Sequence, residues 1–248
     1  MSSTHRPAPL DTARRLREQR YPWSNVLLLA GSVIRGEGTP KSDLDCYVLF
    51  DRVDDAYRES FTFEGWPVEA FIHDEETAEW FIRKDRESGH APTISMIREG
   101  VEVPAPTDLS RRVKAKADAA FAQGPEPASD KDRLAWRYAF TTFLEDIQHP
   151  RGPDDRRIMG GLLYARLAEV ALRLANRWGG TDRQALRRLR EMDAALADRY
   201  TAAFNRLFDD DAVDGVTAVV EEILKPYGGL LFDGYRQPAG VPSKVKKT

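Results

Sequence analysis

The sequence predicts an α+β chain, with a mixed sheet and flanking helices in its N-terminal half and an α-helical bundle in its C-terminal half. Three observations predict it. Apolar stretches of strand length fall at 26–30, 44–50 and 68–72, the last two each interrupted by one acid, all early in the 248 residues. From Asp130 onward strand signals nearly vanish and helical patterns succeed one another. Between the two regimes, 123–129 contains Gly124, Pro125 and Pro127 and reads as a linker.

Each element can be justified in order. Residues 11–20 are charged around Leu16 and read as a helix that ends at Tyr21-Pro22, because proline disfavours helix at the residue before it. Val26 to Ala30 reads as a buried strand, residues 31–42 as a loop with three glycines and Pro40, and 44–50 as a second strand interrupted by Asp45. Residues 61–63 and 68–72 flank Gly65 and suggest a hairpin with its turn there. Residues 75–85 and 108–122 read as helices. Ser129 or Asp130 caps the helix that begins the C-terminal half. The segments 130–148, 154–178, 182–190, 193–208 and 212–225 read as helices, separated by Pro150 to Pro153, Gly179-Gly180 and Pro226 to Gly229. The expected organisation is a first domain over 1–122, a helical domain over 129–237 and a loose Pro/Gly/Lys-rich tail over 238–248.

Bulk composition narrows the classes. With 42% hydrophobic and 31% charged residues the chain is suited to folding rather than disorder. A net charge of −3 argues against a broad sequence-independent grip on nucleic acid, which needs many phosphate contacts, although a local basic groove is compatible with it. The single cysteine, Cys46, forms no internal disulfide, and no Cys/His cluster has zinc spacing. The N-terminus lacks the apolar core of a signal peptide, and no apolar run is long enough to span a bilayer. A cytoplasmic protein with no membrane partner is the expectation.

The chemistry concentrates in 27–48. A buried strand ends at Gly31-Ser32. Glycine lets the backbone approach a bound group, and serine offers a hydroxyl and an N–H. A short helix starting there would add an anion site for phosphates. Asp43-Leu44-Asp45 comes next, at the start of a strand. Residues at i and i+2 share a strand face, so two carboxylates project together while Leu44 points to the core. Such hard oxygen ligands suit Mg²⁺. Glu69 sits in an apolar strand where a lone acid is costly to bury, and becomes a third carboxylate if that strand lies beside the Asp43 strand. Three acids around a triphosphate make a two-metal site. Alone, Gly-Ser is an ordinary turn signal and Asp-x-Asp a solvent-facing strand edge; their combination carries the reading.

The order apolar strand, Gly31-Ser32, spacer 33–42, Asp43-Leu44-Asp45 resembles the signature of the DNA polymerase β-like nucleotidyltransferase superfamily. Gly31-Ser32, Arg35-Gly36-Glu37-Gly38-Thr39-Pro40 and Ser42-Asp43 look most like its bacterial aminoglycoside and lincosamide adenylyltransferases, in which a helical C-terminal domain packs on the catalytic one. The resemblance implies that Gly31 and Ser32 bind triphosphate, that Ser42 helps orient it, and that Asp43, Asp45 and Glu69 hold Mg²⁺. It also implies a carboxylate general base on the acceptor hydroxyl. Glu145 and Asp146 are the candidates, although acids on a helix are ordinarily a solvated face.

The implied reaction moves a nucleoside monophosphate, AMP from ATP or another NTP, onto a hydroxyl of a small molecule and releases pyrophosphate. An aminoglycoside-like antibiotic is the acceptor the resemblance suggests. Modification of RNA or of a protein, as in toxin–antitoxin pairs, is the alternative, with a non-catalytic nucleotide-binding module behind it. Arg35 and Lys41 read as surface cations, His73 and His90 as structural or surface residues, and Cys46 as core. Trp136, Tyr138, Phe140 and Phe143 read mostly as core, and 183–190 and 244–247 as basic surface.

Overall fold

In the computed structural model, residues 6–152, 154–180 and 183–237 are described. Pro153, residues 181–182 and the tail at 238–248, with its 244–247 lysine cluster, lie outside the described residues. The chain divides into two units, Met1–Glu126 and Pro127–Thr248.

The first unit opens with α1 (Pro9–Arg20), which has proline at its start, Asp11 in the first turn and Arg17 and Arg20 in the last. Each charge complements the helix dipole at its end. The sheet is built from β1 (Val26–Ala30), β2 (Leu44–Leu49), β3 (Tyr57–Phe63), β4 (Trp66–His73) and β5 (Val101–Val103) in the order β3-β4-β2-β1-β5. It is mixed: β2 runs parallel to β4, and every other neighbouring pair is antiparallel. The β3–β4 hairpin closes through Glu64-Gly65. Both residues have positive φ, 47° and 81°, as the two-residue turn that matches strand twist requires.

One sheet face, with Leu27, Leu29, Cys46, Val48 and Ala70, packs with Ala13 and Leu16 of α1. The other carries Tyr47 and His73, whose rings stack at 4.7 Å, with Phe81 of α2 (Glu75–Ser88) edge-on to the histidine at 5.0 Å. Asp74 and Thr77 form a capping box at the start of α2, and Gly89 closes it in the left-handed region. Then come α3 (Pro92–Glu99) and α4 (Asp108–Gln123), the latter capped by Thr107 and Ser110.

The sequence reading missed α3 and β5. The helix has eight residues and the strand three, too short to show a period, and β5 exists by pairing with the free edge of β1. The first hairpin strand is longer than the expected 61–63: Tyr57, Arg58, Glu59 and Ser60 join it by pairing with β4, and they form no apolar run that marks a strand.

The second unit is helical: α5 (Asp130–Gln148), α6 (Asp155–Leu174), α7 (Arg183–Met192), α8 (Ala194–Asp210), α9 (Asp214–Leu224) and a 3-10 turn at Lys225–Tyr227. Ser129 caps α5 in a reciprocal pair with Asp132. The helix expected over 154–178 stops at Leu174, where Asn176 turns left-handed at φ 54°. Phe140, Leu144, Leu167, Tyr200, Phe204 and Val220 are among the core of the bundle. Trp136 and Phe143 pack against it, while Tyr138 stacks on Tyr235 at 4.1 Å. Among the described residues, no helix is long and apolar enough to cross a membrane.

Candidate functional site

Sheet register assembles the site. Asp45 pairs with Glu69 across the parallel β2–β4 ladder, with Ala30 across the β1–β2 ladder, and Glu69 pairs in turn with Ser60 of β3. Residues directly opposite one another point to the same face, so Asp45 and Glu69 project side by side. Asp43 precedes β2 by one residue and joins them. One ligand oxygen of each of Asp43, Asp45 and Glu69 lies within 4.8 Å of the other two, and all three residues are half-buried. Leu44 between the aspartates is fully buried, as the alternation requires.

The cluster is electrostatically loaded. Burial first, then the charges of Asp43 and Glu69, raise the Asp45 carboxyl from its ordinary 3.8 to about 6, with Arg35 and Arg58 opposing. Cys46 alternates to the core face, where burial pushes its thiol up. His73 stacks on Tyr47, and burial holds it neutral, its value lowered from 6.5 to about 4.

Gly31 stands where the sequence puts it, for two physical reasons. Its φ of +82° is left-handed. A Cβ there would lie 2.0 Å from Oδ2 of Asp45. The backbone thus reaches the carboxylates closely, which only glycine permits. Beyond it the chain forms a turn and not the short helix that was one expectation. The N–H of Arg35 donates to Gly31 O at 3.3 Å, that of Gly36 to Val33 O at 3.3 Å, and that of Glu37 to Ser32 O at 2.9 Å. The N–H groups of Ser32, Val33 and Ile34 donate to no backbone acceptor among the described residues, so the turn still presents consecutive donors.

Ser42 closes the loop. Its Oγ accepts from Thr39 N–H at 2.8 Å and from Ser32 Oγ at 3.3 Å, and its carbonyl accepts from Arg6 at 3.0 Å. This ties the ends of the 31–42 loop beside the acids. Arg35 bridges Glu37 at 3.0 Å and Glu99 of α3 at 3.2 Å, while Lys41 is exposed.

The structure brings Gly31, Ser32, Ser42, Asp43, Asp45 and Glu69 together within the first unit. Glu145 and Asp146 lie on α5 of the second unit. Glu145 is exposed; Asp146 is half-buried and helps line a cavity of about 460 Å³ with His149, Arg151 and Asp155. Sequence reasoning did not single out Arg58, whose Nη2 meets Glu69 Oε1 at 2.5 Å. The hairpin turn at Glu64-Gly65 carries the signal, since it sets Arg58 two residues beyond the partner of Glu69 on the same face.

A hard divalent cation fits this set. The donors are three half-buried carboxylates drawn together despite mutual repulsion, with the Gly31 backbone packed closely against Asp45.

Comparison with known proteins agrees with this chemistry. Residues 10–116 match the family model described as nucleotidyltransferase domain. The match names the domain and not its aminoglycoside and lincosamide adenylyltransferase branch. No curated protein matches the chain. Among solved structures, a nucleotidyltransferase-like protein from Exiguobacterium sibiricum 255-15 is similar at 11% identity, over 88% of this chain and 75% of that one, with a TM-score of 0.42. The family match rests on 10–116, the span from α1 into α4 that holds all three clustered acids. Within the N-terminal unit, residues 10–116 are similar to a nucleotidyltransferase domain, and the enzyme class this supports is nucleotidyltransferase.

Proposed function

We propose that the chain transfers a nucleoside monophosphate, AMP from ATP, to a hydroxyl of a small molecule and releases pyrophosphate. The observation that carries this reading is the register of Asp45 with Glu69, with Asp43 alongside and the Gly31 backbone packed against Asp45. Asp43, Asp45 and Glu69 would hold Mg²⁺. When bound, the metal supplies positive charge that activates the attacking oxygen and steadies the leaving pyrophosphate. The N–H groups of the turn after Gly31, with the Ser32 hydroxyl, hold the triphosphate. Ser42 orients it by fixing the loop.

The first domain, 1–122, carries this machinery in the proposal, and the helical domain, 129–237, serves the acceptor. Glu145 or Asp146 takes the proton from the acceptor hydroxyl as the oxygen attacks the α-phosphorus in line. An aminoglycoside-like polycation is the proposed acceptor, in a cytoplasmic setting where ATP and Mg²⁺ are supplied.

The test is pyrophosphate release from ATP and Mg²⁺ across a panel of aminoglycosides, a lincosamide and bulk tRNA. Release with one small acceptor, lost in Asp45→Asn, is the expected result. Release with tRNA alone would replace the small-molecule acceptor by RNA. ATP binding with no release for any acceptor would count for the non-catalytic module.

A further inference from the structure

We propose that Arg58 is a positioning residue for the acid cluster, holding the Glu69 side chain so that one carboxylate oxygen stays turned toward Asp43 and Asp45. The proposal rests on the metal-holding reading of the three acids.

A glutamate has three side-chain torsions. Beside two other carboxylates, Coulomb repulsion swings it outward into water unless something holds it. Arg58 supplies the hold. On the β3–β4 ladder Arg58 pairs with Phe71 and Ser60 pairs with Glu69, so Arg58 and Glu69 are diagonal neighbours on one face. The guanidinium carbon lies 5.4 Å from the centre of the Phe71 ring, and Nη2 meets Glu69 Oε1 at 2.5 Å. Ring contact and hydrogen bond together fix both side chains. With this bond made, Glu69 still offers an oxygen within 4.8 Å of ligand atoms of both aspartates. One oxygen is thus available to the cation while the carboxylate is steered by its neighbour, the arrangement in which outer partners orient metal-ligating carboxylates.

A second effect has the opposite sign, because a guanidinium near a cation site repels the cation. The Arg58 side chain is 55% exposed, so water screens that repulsion. The torsional hold on Glu69 does not depend on charge at a distance and is not screened. Positioning therefore outweighs repulsion, and removing Arg58 weakens the site.

The experiment titrates the full chain with Mn²⁺ alone, tracked by electron paramagnetic resonance of the free ion. Proteins compared are the wild type, Arg58→Met, Arg58→Lys, Glu69→Gln, the Arg58→Met/Glu69→Gln double variant and an Asp45→Asn control. Arg58→Met is expected to bind Mn²⁺ about tenfold more weakly, with the thermal midpoint of the metal-free protein nearly unmoved, since an exposed ion pair contributes little to folding. Arg58→Lys, which retains a donor, restores most of the affinity. The double variant binds like Glu69→Gln alone, because Arg58 acts through Glu69. Equal or tighter binding by Arg58→Met overturns the proposal, as does a tenfold loss that persists in the Glu69→Gln background. A wild type that binds no better than Asp45→Asn overturns the metal reading itself, and the Arg58 proposal with it.

Discussion

Gly31 and Asp45 are in opposition at the scale of single atoms. The left-handed backbone of Gly31 leaves no room for a Cβ over the Asp45 carboxylate. Gly31→Ala is expected to cost about 1–2 kcal/mol of stability from the backbone conformation alone. By displacing Asp45 it lowers nucleotidyl transfer by about a hundredfold, as a misplacement of a reacting group by ~1 Å does; denaturant unfolding and initial rates measure the two effects separately. Asp45 itself trades stability for function. Burial and its acidic neighbours raise it from 3.8 to about 6, so the fold favours the protonated form. Its contribution to stability is complete below pH 3.8 and is lost as the pH rises through about 6. Asp45→Asn should therefore raise the unfolding free energy of the metal-free protein near pH 7.5 by on the order of 1–2 kcal/mol after solvent screening, and its thermal midpoint with it, while abolishing transfer. An unchanged or lower midpoint would contradict the electrostatic account.

At the scale of elements, two strands and a hairpin build the site. The parallel pairing of β2 with β4 puts Glu69 opposite Asp45, and the β3–β4 turn adds Arg58. The stacked pair Tyr47 and His73 lies further along the same strands, with its own pH signature. Burial lowers His73 from 6.5 to about 4, so the neutral ring is favoured. The stability it contributes is present above pH 6.5 and is lost as the pH falls through about 4. His73→Phe keeps an aromatic ring beside Tyr47 and removes the titration. Its unfolding free energy should decline less than that of the wild type across this window, in urea titrations at stepped pH.

Legibility in the sequence obeys the same physics. Val26–Ala30 and Asp130–Gln148 are readable to their ends, because five consecutive buried residues and a serine cap ahead of a long helical pattern are strong local signals. Asp43 and Asp45 are readable because a paired acid interrupts an apolar strand. Glu69 is readable only given strand adjacency, a non-local fact. Arg58 looks like any charged residue on an edge strand until register places it. The three-residue β5 exists through pairing with β1 and has no local signal of its own.

At the scale of the whole molecule, the proposed acceptor is small, and the net charge of −3 argues against a broad sequence-independent grip on nucleic acid. Between about 50 and 200 mM salt, an enzyme that grips RNA through many phosphates loses orders of magnitude in affinity. The proposed transfer reaction should change its Michaelis constant for the acceptor only severalfold over that range; a steep logarithmic fall would point to nucleic acid.

The most direct measurement is the mass of the acceptor. After incubation with ATP and Mg²⁺, mass spectrometry of the acceptor panel should find one small molecule heavier by a nucleoside monophosphate with the wild type, and none with Asp45→Asn. An acceptor heavier by a phosphate alone, or an Asp45→Asn enzyme that modifies it equally well, would contradict the account.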